Sequence, residues 1–211
     1  MKYRIVPKNG DKLSVLGFGA MRFVEERNKI VEDLARKQIQ SAIDMGVNYV
    51  DTGYYYHNQQ SEPVLGKILS ENGYRQKVKL ATKLPHWITG SVSDMHKILD
   101  EQLQRLQTDH IDYYLVHTLN GPTWETAKKD GVVEFLDQAL KSGKIINAGF
   151  SYHGSSSDFN KVVDEYDWTF CQIQYNYLDT NTQAGTAGLK YAASKDMAVV
   201  VMEPLRGGNL G

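Results

Sequence analysis

The sequence predicts an α/β fold of the (β/α)8 barrel type, opened by an N-terminal β-hairpin and carrying about seven barrel strands. Three observations predict it. Short apolar runs alternate with stretches of helical spacing, as in βα units of a parallel sheet. Asn9-Gly10 lies between two extended arms near the start, a hairpin signal. Polar residues then recur at the ends of successive strands: Asp51, Lys83, His117, Ser151 and Glu203. In a barrel these ends converge on one face, whereas a doubly wound sheet draws its site mainly from strands beside a switch point.

The elements follow in order. "RIVPKNGDKLSV" forms the hairpin and "VLGFGA" the first barrel strand. Val31 to Met45 has Leu34, Ile39, Ala42 and Ile43 at helical spacing, and "VNYVDT" is the next strand. Ser61 to Leu69 is a helix, with Ser61 and Glu62 near its start and Val64, Leu65 and Ile68 on one face. The strand "VKLATK" precedes a helix from Val92 to Leu106. "IDYYLVH" precedes a helix from Val132 to Lys141, closed by Gly143. "IINAGFS" precedes a helix from Phe159 to Tyr166. "FCQIQY" precedes a helix from Ala187 to Ser194, and "AVVVMEP" is the last strand. No repeat or linker divides the chain, so residues 1–211 read as one barrel domain. A complete barrel needs an eighth strand and a further helix, so the expectation is a barrel truncated at the C-terminus.

Composition narrows the function. Apolar residues make up 41 %, enough for a substantial core. With 24 basic and 25 acidic residues the net charge is -1, which gives no electrostatic case for nucleic acid or an anionic membrane. No apolar run reaches the length that spans a bilayer, and "MKYRIVPKNG" lacks a secretory apolar segment. Cys171 is the one cysteine, so neither an intrachain disulfide nor an all-cysteine cluster is expected. The expected compartment is the cytoplasm.

Singly, Asp51 reads as a loop cap, Lys83 as a strand-end lysine reaching solvent and His117 as a hydrogen-bonded rim histidine. Together they bring an acid, a cation and a base to one mouth, and such groups are costly to bury without a task. "YVDTGYYYHNQ" adds three tyrosines beside the acid. A phenol next to an ammonium becomes a better proton donor. An aspartate would keep that ammonium charged, and an imidazole would orient a carbonyl oxygen. The set suits proton delivery to a carbonyl as charge develops on its oxygen. Residue spacing alone leaves open which tyrosine serves.

The motifs resemble those of the aldo-keto reductases, barrel enzymes that reduce carbonyls with a nicotinamide cofactor. The family pattern Asp-Thr-Ala, two variable residues, Tyr stands as "DTGYYY". The resemblance implies Tyr56 as general acid with Asp51, Lys83 in "LATK" and His117 in "LVH" as its catalytic partners. "DEQLQRLQTDHIDYYLVH" resembles the family's third-helix to fourth-strand segment.

The resemblance also implies a cofactor path. Gly19, Met21 and Arg22 in "GFGAMR" approach the nicotinamide, with Asp51 beside them. Ser151 in "GFSYH" and Gln172 in "CQIQYNYL" bind the carboxamide, Met202 supplies a platform for the ring, and Leu205, Arg206 and Gly207 line the phosphate path. It favours NADP(H) over NAD(H) and a small-molecule carbonyl substrate, and it is strongest to a prokaryotic branch whose longer members carry a C-terminal ferredoxin-like extension. With Cys171 alone, no iron–sulfur cluster is expected in this chain.

Two departures carry expectations. His57 replaces the glycine that usually follows the tyrosine and should project towards the substrate mouth. The absent eighth strand should leave open edges through which the chain self-associates. Trp87 and Trp124 are candidate pocket walls. Two rival readings are a metal-dependent barrel hydrolase built on Asp51, His117, His153 and Glu203, and a non-catalytic nicotinamide-binding regulatory subunit.

Overall fold

A computed structural model describes residues 1–211. Strands β1 (Tyr3–Ile5) and β2 (Lys12–Ser14) form the antiparallel N-terminal hairpin. Strand β3 (Phe18–Gly19) is followed by a second small hairpin, β4 (Glu25–Glu26) and β5 (Lys29–Ile30), which the sequence reading did not anticipate. The alternation then runs α1 (Glu32–Asp44), β6 (Tyr49–Asp51), α2 (Ser61–Ser70), β7 (Lys79–Leu84), α3 (Val92–Arg105) and β8 (Ile111–Leu119). It continues through α4 (Gly121–Lys129), α5 (Val132–Ser142), β9 (Ile145–Tyr152), α6 (Ser156–Asp164), β10 (Phe170–Gln174), α7 (Gly185–Ser194) and β11 (Ala198–Met202).

The seven-stranded sheet has the order β3-β6-β7-β8-β9-β10-β11, parallel throughout, so sheet order is chain order. This is the predicted barrel in its incomplete form: β3 and β11 do not pair with each other. Helices form where the apolar spacing demanded them. Ala35, Ile39 and Ile43 are the buried stripe of α1, and Val132, Phe135, Leu136 and Ala139 that of α5. Helix α4 lies between β8 and α5, where the apolar spacing predicts no element. Its start is set by a capping box in which Thr123 N donates to Asn120 Oδ1 at 2.9 Å and Asn120 N to Thr123 Oγ1 at 2.8 Å.

One large core lies between sheet and helices. A smaller one, with Val6, Leu13, Tyr49, Tyr113, Leu115 and Phe170, fills the inside of the sheet under the first hairpin. That hairpin is fastened at the N-terminal ends of the strands: Tyr113 Oη donates to Asp11 Oδ2 at 2.8 Å, and Asn9 Nδ2 to Asn147 Oδ1 at 2.8 Å. The opposite face is left for the site. Gly66 permits the close approach of α2 to α3, since a Cβ there would lie 2.4 Å from the Arg105 carbonyl oxygen.

Candidate active site

Strand β6 delivers Asp51 to the mouth of the sheet, and β7 delivers Lys83 beside it. Both are buried, at 9 % and 1 % exposure. Lys83 Nζ donates to Asp51 Oδ1 and Oδ2 at 2.8 Å each and to the Thr52 carbonyl at 2.6 Å. Its fourth oxygen partner is the Tyr56 hydroxyl at 3.1 Å. Burial alone would pull the Lys83 ammonium down. The oxygens of Asp51 and Tyr56 outweigh it and hold Lys83 above the ordinary lysine value.

The three tyrosines have three environments. Tyr54 is buried and its hydroxyl donates to Glu101 Oε2 at 2.9 Å. Tyr55 is 40 % exposed and its ring stacks on Trp87, with centroids 6.0 Å apart. Tyr56 alone meets the cation. Its ring lies against Gly53, where a Cβ would meet Cε1 and Cζ at 3.1 Å, so this residue leaves the phenol room to reach Lys83.

His117 arrives by a bulge. Val116 pairs with Phe150 and Leu119 with Tyr152, so β8 carries one residue more than β9 across this interval. Thr118 takes a left-handed φ of 56°, and its amide donates to Ser151 Oγ at 2.7 Å. The bulge sets the His117 ring edge-on to Tyr56, centroids 6.1 Å apart, and 5.4 Å from Trp87. Its Nδ1 is buried without a partner. Burial, then the positive charge of Lys83, pushes His117 down to about 2, so the imidazole is neutral at working pH. A depressed histidine stabilises the fold fully above its free value near 6.5 and less as pH falls, by up to about 1.4 kcal/mol per unit. His86, also depressed by burial, adds to this. Urea midpoints should therefore drop from pH 7 to pH 5, and His117→Asn should flatten that drop. An equal drop in the variant would show that His117 does not contribute to it.

The profile of the Aldo/keto reductase family matches residues 15–211. The chain belongs to the aldo/keto reductase family. An uncharacterized oxidoreductase of Bacillus subtilis, YrpG, is 28 % identical over 231 residues, covering 100 % of this chain and 68 % of its own length. The aldo-keto reductase yakc [NADP(+)] of Schizosaccharomyces pombe is 25 % identical, covering 95 % of this chain and 60 % of its own. The holo form of aldo-keto reductase AKR11C1 from Bacillus halodurans superposes with a TM-score of 0.83 at 27 % identity, covering 99 % of this chain and 68 % of its own. The chain thus spans roughly two thirds of the length of these relatives.

As an aldo/keto reductase the chain is an oxidoreductase, and the residues at its mouth can be tested for fit to a nicotinamide. Ser151 and Gln172 are register neighbours on β9 and β10, both buried. Ser151 Oγ accepts from Thr118, which leaves its hydroxyl hydrogen free, and Gln172 Oε1 is buried without a donor. A donor and an acceptor side by side fit a carboxamide. Gly19 pairs with Asp51 at the same level, and no atom would obstruct a Cβ there, so the space above it is open. Arg22 reaches across to the far loop, where Gly207 would place a Cβ 3.4 Å from its Nη2. Arg206 pairs with Asp179 at 3.0 Å. Met202 is half-buried opposite Gln174 in the ladder, and Met21 and Leu205 are 56 % and 52 % exposed.

Two expectations are corrected. His57 does not project into the mouth. Its Nε2 accepts from Phe23 N at 3.0 Å and its Nδ1 donates to Glu25, so the second hairpin and the residues leading into it hold the ring. Trp124 is no pocket wall: it is fully buried in α4, against Trp168, with its indole N–H on Glu165. Glu203 directly follows the last residue of β11, exposed and at a φ of 57°, and its charge acts on His153. The Thr52 carbonyl on Lys83 went unforeseen, because a backbone acceptor leaves no mark in residue type. No group of three or more His, Cys, Asp or Glu side chains is placed to hold a metal ion, so Asp51, His117, His153 and Glu203 do not assemble the donor set a metal hydrolase requires.

Proposed function

We propose that the chain reduces the carbonyl group of a small aldehyde or ketone to an alcohol, with Tyr56 as general acid. The observation that carries this reading is the Lys83 ammonium, which touches Asp51 and the Tyr56 hydroxyl together. When bound, the nicotinamide supplies the hydride. The chain's own residues do the rest. Asp51 and the Thr52 carbonyl fix Lys83, and Lys83 holds the phenol oxygen and stabilises negative charge on it as the proton leaves. Neutral His117 stands beside the phenol and can donate to the substrate oxygen. Ser151 and Gln172 would hold the carboxamide, Arg22 would approach the nicotinamide, and Leu205, Arg206 and Gly207 would line the phosphate path. The likeness to the yakc reductase, whose name specifies NADP(+), supports NADP(H) over NAD(H). The stacked Tyr55 and Trp87 offer an apolar wall for the substrate.

Trp87, 50 % exposed beside His117, makes the cofactor question measurable. NADPH should quench tryptophan fluorescence at lower concentration than NADH, and Trp87→Phe should remove most of the quench. Equal concentrations for the two cofactors would overturn the preference. We also infer self-association through the unpaired edges of β3 and β11, where Val201 of β11 and Leu16, just before β3, are 38 % and 61 % exposed. Sedimentation over a range of concentrations tests it, and a monomer throughout would refute it. No helix is long and apolar enough to cross a membrane. The cytoplasm remains our inferred compartment.

A further inference from the structure

Strand β6 ends at Asp51, paired with Ala81, while β7 runs on to Leu84. The Ala81 carbonyl accepts from Thr52 N at 2.9 Å. The Lys83 carbonyl, two residues further, faces the same side of β7, where β6 has already turned away into the Tyr56 loop. A buried carbonyl left in this position needs a donor. Gln102 of α3 provides it: its Nε2 donates to the Lys83 carbonyl at 3.0 Å.

Gln102 sits in the buried stripe of α3 with Met95 and Leu99, a position whose spacing calls for an apolar residue. It is fully buried and fully engaged. Nε2 also reaches Glu62 Oε1 at 2.8 Å, and Oε1 accepts from the Tyr114 hydroxyl at 2.7 Å, which fixes the orientation of the amide. Glu62, with no exposure at all, takes a second bond from Thr82 Oγ1 at 2.6 Å and a third from Arg105 Nη1 at 3.3 Å. Burial raises the Glu62 carboxyl, and those three donors oppose it. Arg105 continues to Gln59 Oε1 at 2.6 Å, at the far end of the Tyr56 loop. Well-packed apolar residues of similar volume often replace a buried charged network at no loss of stability. The network therefore calls for another explanation, and its contacts converge on the backbone of Lys83 and the loop of Tyr56.

We propose that Gln102, oriented by Glu62, is a positioning residue: it replaces the missing strand partner of the Lys83 carbonyl and so sets where the Lys83 ammonium meets Asp51 and Tyr56. The proposal deepens the reductase reading and rests on it for its kinetic consequence only. The charged or titratable groups that face the ammonium are Asp51 of β6, Tyr56 of the loop and His117 of β8.

The test uses Gln102→Leu, which keeps the bulk and removes the hydrogen bonds, and Glu62→Gln, which keeps the shape. Gln102→Leu should lower kcat for NADPH-dependent reduction about 10- to 100-fold, the scale of a small displacement at a reacting group, with KM for NADPH little changed. Glu62→Gln should fall between it and the wild type. Nuclear magnetic resonance of isotope-labelled lysine reads Lys83 directly, and its titration should move down in both variants as the ammonium leaves Asp51. Ile39→Val, in the buried stripe of α1, supplies a packing control that should lower the melting temperature without moving either readout. A folded Gln102→Leu with unchanged kcat and unchanged Lys83 titration overturns the proposal. If Gln102→Leu does not fold, Glu62→Gln decides on the same readouts. A wild-type chain without turnover would refute the reductase reading alone, because the Lys83 titration still reports on Gln102.

Discussion

Tyr56→Phe is expected to reduce carbonyl turnover by about a thousandfold or more, within the range that a positioned proton donor contributes. The variant loses one oxygen and little else. The ring can keep its place against Gly53 and edge-on to His117, so cofactor affinity should stay near the wild-type value. Tyr54→Phe gives up the bond to Glu101 and should cost far less. Tyr55→Phe keeps its stack on Trp87 and should be nearly neutral in kcat. Initial rates of NADPH oxidation with a set of aldehydes, beside cofactor titrations, separate the three. Normal turnover in Tyr56→Phe together with its loss in Tyr55→Phe would overturn the assignment.

Lys83→Met is expected to cost about 10²- to 10⁴-fold in kcat/KM, because the phenol loses the cation that would carry its developing charge. It should also destabilise the fold. Asp51, 9 % exposed, would keep a carboxylate without its counter-ion, a change worth about 3–5 kcal/mol in comparable buried pairs. Asp51→Asn should do less to the rate, since Lys83 would retain the Thr52 carbonyl and the Tyr56 hydroxyl. The double variant, Asp51→Asn with Lys83→Met, should recover part of the lost melting temperature but none of the rate. That pattern distinguishes an electrostatic task from a packing one. A Lys83→Met chain within tenfold of wild type would remove the lysine from the mechanism.

Much of this site was legible beforehand because it is written in strand ends. Asp51, Lys83 and His117 each follow an apolar run, and a parallel barrel can only bring such ends to one face. The helices with regular apolar spacing were legible for the same reason. Helix α4 was not: "GPTWETAKK" has little apolar periodicity, and it is specified instead by the Asn120 and Thr123 cap. His57 was misplaced because its partners, the Phe23 amide and Glu25, lie just before and within a hairpin with no pattern of its own. Gln102 did break a visible rule, as an amide in an apolar stripe, yet only the early end of β6 explains it.

Chain order and sheet order coincide from β3 to β11. Each strand therefore has sequence neighbours for spatial neighbours, and disruption has two places to begin. Amide hydrogen exchange should be slowest in β8 and β9, which have a partner on both sides and are buried along most of their length. Protection should decline outward to β11, whose residues are partly or fully open to water. Asp51 lies on β6, next to one terminus of that gradient, while Ser151 lies near its centre. Partial opening from the β3 end would then dismantle the proton-donating half of the mouth while the carboxamide half stays folded.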